Sequence, residues 1–580
     1  MDNKNCDIIV VGGGLAGLMA TIVACENNLR VKLFTILPAK RSHSVCAQGG
    51  INASLNIKGE GDSPEKHFYE TIYGGDFLAN QPPVKDMCYN APEIVYLLDR
   101  MGVMFNRTAE GFLDFRRFGG TKYHRTAFAG ATTGQQILYA LDEQVRRYEY
   151  HGLVEKYTGW EFLRAVIDDE GYARGIVAGN INTLDIEVFS ADAVIMATGG
   201  CGMIFGKSTN SAICTGSSNA ILFQQGVKYA NGEFIQVHPT AIAGNDKLRL
   251  ISESVRGEGG RIWTYKDGKP WYFLEEKYPA YGNLVPRDIA SREIFHVCVD
   301  LGLGIDGKNQ VYLDVTHLDE EFLEYKLGGV LEIYEKFMGE NPKKVPMRVF
   351  PAVHYTMGGL WVDYNQMTNI NGLFAAGECE YQYHGANRLG ANSLLSCIHG
   401  GMVAGKKVYE YLQGLKKCSD DIPSFVYENH KSVVKAKFEQ YKKMEGKENP
   451  YKLHQELGDV MTENVTVVRH NKKLELTLNK IKEFKERFKN IDILDKTGNA
   501  NYSLFFVNQL WGMLELAMVI TKGALLRNES RGSHYKPEFP ARDDKNFLKT
   551  TIATYAPEEP QISYEDVDVS LIKPVLRKYD

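Results

Sequence analysis

Apolar residues run without interruption from Ile8 to Val11 and then give way to Gly12, Gly13 and Gly14. A β-branched run bounded by glycine predicts a strand buried on both faces. Leu15 to Glu26 carries small and apolar residues in a helical pattern, and Val31 to Phe34 is a second apolar run. Strand, glycine turn, helix and strand together open a parallel α/β unit. Two more strands with glycine endings lie far downstream, "ADAVIMATGG" (Ala191–Gly200) and "NGLFAAGEC" (Asn371–Cys379). A sheet drawn from segments so far apart predicts a discontinuous domain with an insertion.

From about 241 to 345 the βαβ rhythm is lost, and aromatics, prolines and glycines dominate, as in "WTYKDGKPWYFLEEKYPAYGNLVPRD". A helical pattern with lysine-rich stretches follows, and the tail returns to turn-like chemistry. The expected fold is α/β. A discontinuous Rossmann-type nucleotide-binding domain (1–240 and 346–410) is interrupted by an α+β capping domain (241–345). A helical domain (411–530) and a small C-terminal domain (531–580) complete it. The longest apolar stretch, Leu504 to Leu526, is broken by Asn508, Gln509 and Glu515 and reads as a buried helix rather than a membrane span. The start, "MDNKNCDIIVVGGG", has no basic leader before an apolar run, so no export signal is expected.

Composition narrows the class. The 580 residues are 44% hydrophobic and 24% charged with a net charge of −5, which is a globular balance without a nucleic-acid footprint. Ten cysteines are scattered with no CxxC pair, so neither a disulfide framework nor a metal or iron–sulfur site is expected within the chain. A reduced, cytoplasmic setting fits this usage.

The chemistry is concentrated in short motifs. Gly12, Gly14 and Gly17 give GxGxxG at a strand-to-helix junction, where a tight turn, a close backbone approach and a helix N-terminus suit a pyrophosphate. Thr35 ends the second strand where an acidic ribose contact is usual, so this motif alone does not choose between NAD and FAD. The two later glycine-ended strands favour the larger FAD. "KRSHSVCAQGG" places His43 among small residues before Gly49 and Gly50. "QVHPTAI" offers His238, "SESVRGEGG" offers Ser252, Glu253 and Arg256, and "VPRDIASREI" offers Arg287. "FPAVHYTMGG" holds His354, and "HGANRLGANSLL" holds His384, Arg388, Asn392 and Ser393. Singly, each has an ordinary reading as a surface ion pair or a core histidine. Together, arginine forks, histidines and a hydroxyl are the donors that recognise a small dicarboxylate.

These motifs, with "RRFGG", "YGGDFLANQPPV" and "GLFAAGE", make the chain resemble the flavoprotein subunits of succinate dehydrogenase and fumarate reductase over nearly its whole length, most of all the menaquinone-linked bacterial type. The resemblance implies FAD bound covalently through His43, a linkage that raises the flavin potential. It implies a cofactor lining of Gly12, Gly13, Gly14, Leu15, Ala16, Gly17, Thr35, Lys40, Arg41, Ser42, Ala47, Gln48, Gly49, Gly50, Ala197, Thr198 and Gly199. Glu378 would meet the adenosine ribose, with Ser393 and Leu394 near the isoalloxazine ring. His238, Ser252, His354 and Arg388 would hold succinate or fumarate against Phe118. Arg287 would transfer the proton, relayed by Glu253 and Arg256.

Two departures stand out. Ser252 replaces a common threonine, and "CTGSSNA" (Cys214–Ala220) replaces "NTGDG", which removes an aspartate that often contacts the flavin. Ser217, at that position, is left out of the expected cofactor set. The resemblance also implies an iron–sulfur subunit and a membrane anchor with haem b and quinone, with the chain peripheral on the cytoplasmic face of the cell membrane. A soluble fumarate reductase or an L-aspartate oxidase-like enzyme is the alternative, and both hold FAD without a covalent bond. A flavin-binding electron carrier with no substrate of its own is a third reading.

Overall fold

The computed structural model describes residues 6–244 and 247–579, so Met1–Asn5, part of the segment read for a leader, lie outside it. The elements that build the site begin with β1 (Ile8–Val11), α1 (Leu15–Glu26), β2 (Val31–Thr35), β3 (Val154–Thr158) and β4 (Trp160–Ile167). They continue with β5 (Ala193–Met196), α2 (Ser217–Gln224), β6 (Ile235–Ile242), α3 (Arg287–Phe295) and β7 (Met347–Thr356). The last are β8 (Leu373–Ala375), α4 (Asn392–Gln413) and α5 (Tyr502–Leu526).

Five strands form a parallel sheet in the order β8-β5-β1-β2-β3. All four residues of β1 are buried, because helices and other strands cover both faces. The glycines of α4 let it lie close on α1. A Cβ at Gly401 would stand 2.5 Å from the Ala16 carbonyl oxygen, and one at Gly405 would stand 2.8 Å from that of Ala20. The tight pair fixes α1, and so fixes the turn before it.

A second sheet of six antiparallel strands faces the first domain. β6 and β7 belong to it, so its strands reach back to Ile235 and forward to Thr356, beyond the boundaries read from the sequence. The β6–β7 pairing shifts register between Gln236 and Val237 and again between His238 and Ala241. Pro239 has no amide to donate, and such bulges re-aim the side chains beside them.

α5 is long and apolar enough to cross a membrane by length and composition, yet 89% of its apolar window is buried inside the molecule. It packs in the helical region and against α2. Two of the polar residues that break its sequence pattern have partners: Gln509 Nε2 donates to Glu161 at 3.0 Å, and Glu515 pairs with Lys485 at 3.0 Å. The C-terminal tail returns across the molecule. Arg577 pairs with Asp288 at 2.5 Å and with Asp76 at 3.3 Å, and the Tyr579 ring sits between those of Tyr73 and Tyr281.

Candidate active site

One cavity of about 590 Å³ runs along the carboxyl ends of the parallel strands and continues beneath the six-stranded sheet. At its centre the β1–α1 turn brings backbone to the wall. Gly12 has φ +119°, and a Cβ there would fall 2.1 Å from the Ala197 carbonyl oxygen. Gly14 precedes α1 without a side-chain cap, which leaves amides at the helix start for an anionic ligand. Ser42 Oγ and Gln48 Oε1 are buried without partners, although both residues line the cavity. A cradle of glycine backbone, an uncapped helix start and orphaned polar atoms fits a dinucleotide diphosphate.

Of the residues assigned to the cofactor, all but Gly17, Lys40 and Arg41 line this cavity. Gly17 acts from behind, since a Cβ there would meet the Gly12 oxygen at 1.9 Å. Lys40 and Arg41 are corrections. Their short 3₁₀ turn sends Lys40 to Glu143, at 3.1 Å, and leaves Arg41 exposed. Ser217, left out on sequence grounds, lines the cavity. Glu378 is a further correction. It follows β8, the edge strand opposite β3 in the parallel sheet, and accepts the Thr356 amide at 3.0 Å. It therefore stands away from the β2 edge, where a Rossmann fold holds an adenosine. Burial pushes its carboxyl up to about 7.

His43 projects from a 3₁₀ turn between Ser42 and Ala47. Its Nδ1 accepts the Ser211 amide at 3.2 Å, and its Nε2 lies 3.1 Å from the Asn210 side-chain amide nitrogen. Burial, and then Lys247, push the imidazole down to about 4. It is neutral at physiological pH.

At the far end the expected substrate residues converge. The His238 and His354 rings lie 5.0 Å apart across β6 and β7. Nδ1 of His238 accepts the Thr240 amide at 3.2 Å, and its Nε2 is buried without a partner. His354 Nδ1 lies 2.7 Å from the Thr209 hydroxyl. Burial followed by the positive charge of Arg287 holds both rings well below the usual histidine value. Arg388 lies over the Tyr355 ring at 4.4 Å, and its Nε is another orphan. Burial and Arg287 push its guanidinium down to about 9, which leaves it cationic near neutral pH. Ser252 lines the cavity, and Phe118 is wedged where a Cβ on Gly49 or Gly390 would come within 2.8 or 2.9 Å of its ring.

Arg287 opens α3 and is held from two sides. Its Nε and Nη2 donate to Glu253 Oε2 at 2.9 and 2.6 Å, and Nη1 donates to Gln236 Oε1 at 3.0 Å. Arg256 Nη2 donates to the other Glu253 oxygen at 2.8 Å, behind the cavity wall. Burial pushes the Glu253 carboxyl up, but Arg287 and Arg256 outweigh it and hold the group below its ordinary value. The result is a continuous buried line from Arg287 through Glu253 to Arg256. Gln236, Lys247 and Glu161 also belong to this cavity or its wall and were missed. Gln236 was findable, because it lies two residues before His238 on a strand and shares its face.

Comparison with known proteins shows the family. The family model for an FAD binding domain matches residues 7–394, and the model for the fumarate reductase flavoprotein C-terminal region matches 454–579. The fold and cradle thus define an FAD-dependent flavoprotein. The chain is 67% identical over 574 residues to the succinate dehydrogenase flavoprotein subunit of Bacillus subtilis, covering 99% of this chain and 98% of that protein. It is 34% identical over 601 residues to the fumarate reductase flavoprotein subunit of Escherichia coli, covering 100% and 96%. A solved structure of E. coli quinol fumarate reductase superposes with a TM-score of 0.92 at 33% identity, covering 98% of each chain. The chain belongs to the succinate dehydrogenase and fumarate reductase flavoprotein subunit family.

Proposed function

We propose that this chain interconverts succinate and fumarate with FAD linked covalently to His43. The observation that carries the reading is the substrate end of the cavity. There two neutral histidines, a hydroxyl and two guanidinium groups meet, with His238 Nε2 and Arg388 Nε still unpaired. FAD, when bound, supplies two-electron oxidation or reduction chemistry beside this pocket. His238, Ser252, His354 and Arg388 hold the two carboxylates and set the central carbons of the substrate against the cofactor. Phe118 closes the pocket and keeps water out.

Arg287 takes the proton from one central carbon, or returns it in the reverse direction. A free guanidinium is a poor base, so the proton must pass along a line of charged partners. Glu253 and Arg256 form that line. Arg388 and His354 also stabilise charge that develops on the substrate carboxylate. Glu378, on the β8 side, serves the flavin half of the cofactor rather than the adenosine ribose. Electrons then leave for an iron–sulfur subunit, a membrane anchor with haem b and the quinone pool. That assembly would hold the chain on the cytoplasmic face of the cell membrane. Support for these partners comes from the relatives, which are named as subunits of larger enzymes.

His43 favours this reading over a soluble fumarate reductase or an L-aspartate oxidase-like enzyme. Denaturation should leave flavin fluorescence on the polypeptide, and His43→Ala should release it. Arg287→Ala should lower succinate oxidation with an artificial acceptor by about 10²- to 10⁴-fold, with flavin content unchanged. Near-normal turnover in that variant would remove Arg287 from proton transfer.

A further inference from the structure

Glu161 is buried, lines the same cavity and has no part in the chemistry above. It sits at the start of β4, beyond the β2–β3 edge of the parallel sheet and opposite Gly179 in its strand pair. His43, Arg287 and Arg388 belong to the other end. Two groups donate to its carboxyl, Gln509 Nε2 at 3.0 Å and Ser217 Oγ at 3.5 Å. Among the described residues no cation lies within ion-pair distance of it. Phe34, Trp160 and Phe162 line the same cavity, so its wall near Glu161 is otherwise largely apolar.

A buried carboxyl with no cation beside it offers a phosphate no counter-charge, which excludes the diphosphate as its target. A flat heterocycle carrying adjacent donor and acceptor atoms is the complementary ligand. Adenine presents such a pair on its edge, an amino group beside a ring nitrogen, and one carboxyl or carboxamide group can engage both. We propose that Glu161 recognises the adenine edge of the bound dinucleotide, steadied by Gln509 from α5 and Ser217 from α2. The inference rests on the FAD reading above and extends it to a residue outside the expected set.

Burial pushes the Glu161 carboxyl up to about 8, so at neutral pH it carries the proton needed to donate as well as accept. The groups facing it are Ser217 on α2, Gly179 on the neighbouring strand, and Gln509 and Tyr502 on α5. Tyr502 is titratable, and burial followed by Glu161 raises its phenol further from neutrality.

The test uses the full chain carrying His43→Ala, in which FAD is exchangeable on the reading above. FAD affinity is read from flavin fluorescence, and ADP affinity from competition. Glu161→Leu should weaken FAD and ADP by the same factor, about 10- to 100-fold. Its ligand-free melting temperature should stay level or rise, because a buried acid without a counter-charge has gone. Glu161→Gln keeps a donor and an acceptor and should keep most of the affinity. Its binding should stay level above pH 8, where the parent's falls as the carboxyl ionises. No FAD binding by the parent would sink the FAD reading itself. Unchanged FAD affinity in Glu161→Leu, or a loss for FAD without a matching loss for ADP, would overturn the inference.

Discussion

Glu253 and Glu380 are both buried carboxyl groups, and their neighbours send them in opposite directions. Two arginines hold Glu253 ionised. Glu380 accepts the Gln382 amide at 2.5 Å, and burial pushes it up to about 8. Its folded value therefore lies above its ordinary value of 4.5. The stability it contributes is complete below that ordinary value and is lost as pH rises toward 8. Glu380→Gln keeps the acceptor and cannot ionise. The variant should match the parent near pH 4.5 and exceed it by about 1–3 kcal/mol near pH 8.5, read from urea midpoints. Equal pH profiles would show that Glu380 ionises without cost. His43, His238, His354, Arg287 and Arg388 could be picked out in the chain because small residues, glycine or proline set them apart. Glu161 and Lys247 carry no such mark. Only their position on the cavity wall gives them meaning.

The elements around the dinucleotide turn were legible because local sterics write them. An apolar run, a glycine where φ is positive and a small-residue helix leave few alternatives. Gly17→Ala tests how tight that turn is. Its Cβ would overlap the Gly12 oxygen at 1.9 Å, and the clash is with backbone rather than a flexible side chain. The variant should lose about 1–3 kcal/mol of stability and purify with less flavin. Normal flavin content and melting temperature would show that the turn relaxes. The sequence pattern also marked α5 as a buried helix, since charged and amide residues interrupt its apolar run. It did not reveal the two register shifts in β6–β7, because a bulge depends on which strand comes to lie opposite. Those shifts fall on either side of His238.

At the scale of the molecule, the C-terminal tail ties the FAD-binding region to the inserted one. Asp76 ends the first turn beyond Pro64–Gly74, Asp288 follows Arg287 on α3, and Arg577 reaches both. Removing that guanidinium leaves buried carboxylates short of a counter-charge. Arg577→Ala should cost about 3–5 kcal/mol, lower the melting temperature and expose the inserted region to trypsin. A melt and a digestion time course would check this, and an unchanged pattern would show that the tail holds nothing closed. The tail was read only as a small terminal domain, because its partners lie hundreds of residues away in the chain.

The sequence by itself determined the glycine turn, the small-residue loop that carries His43 and the chemical kinds of group that line the far end of the cavity. Residue type and local spacing are enough for these, since backbone sterics and side-chain chemistry act over a few residues. Only the tertiary structure decided that Lys40 turns away, that Glu378 stands at the β8 end, and that Glu161 lies beside Ser217 and Gln509. Those outcomes depend on which distant segments close over one another, and on how burial there shifts the balance between charge and neutrality.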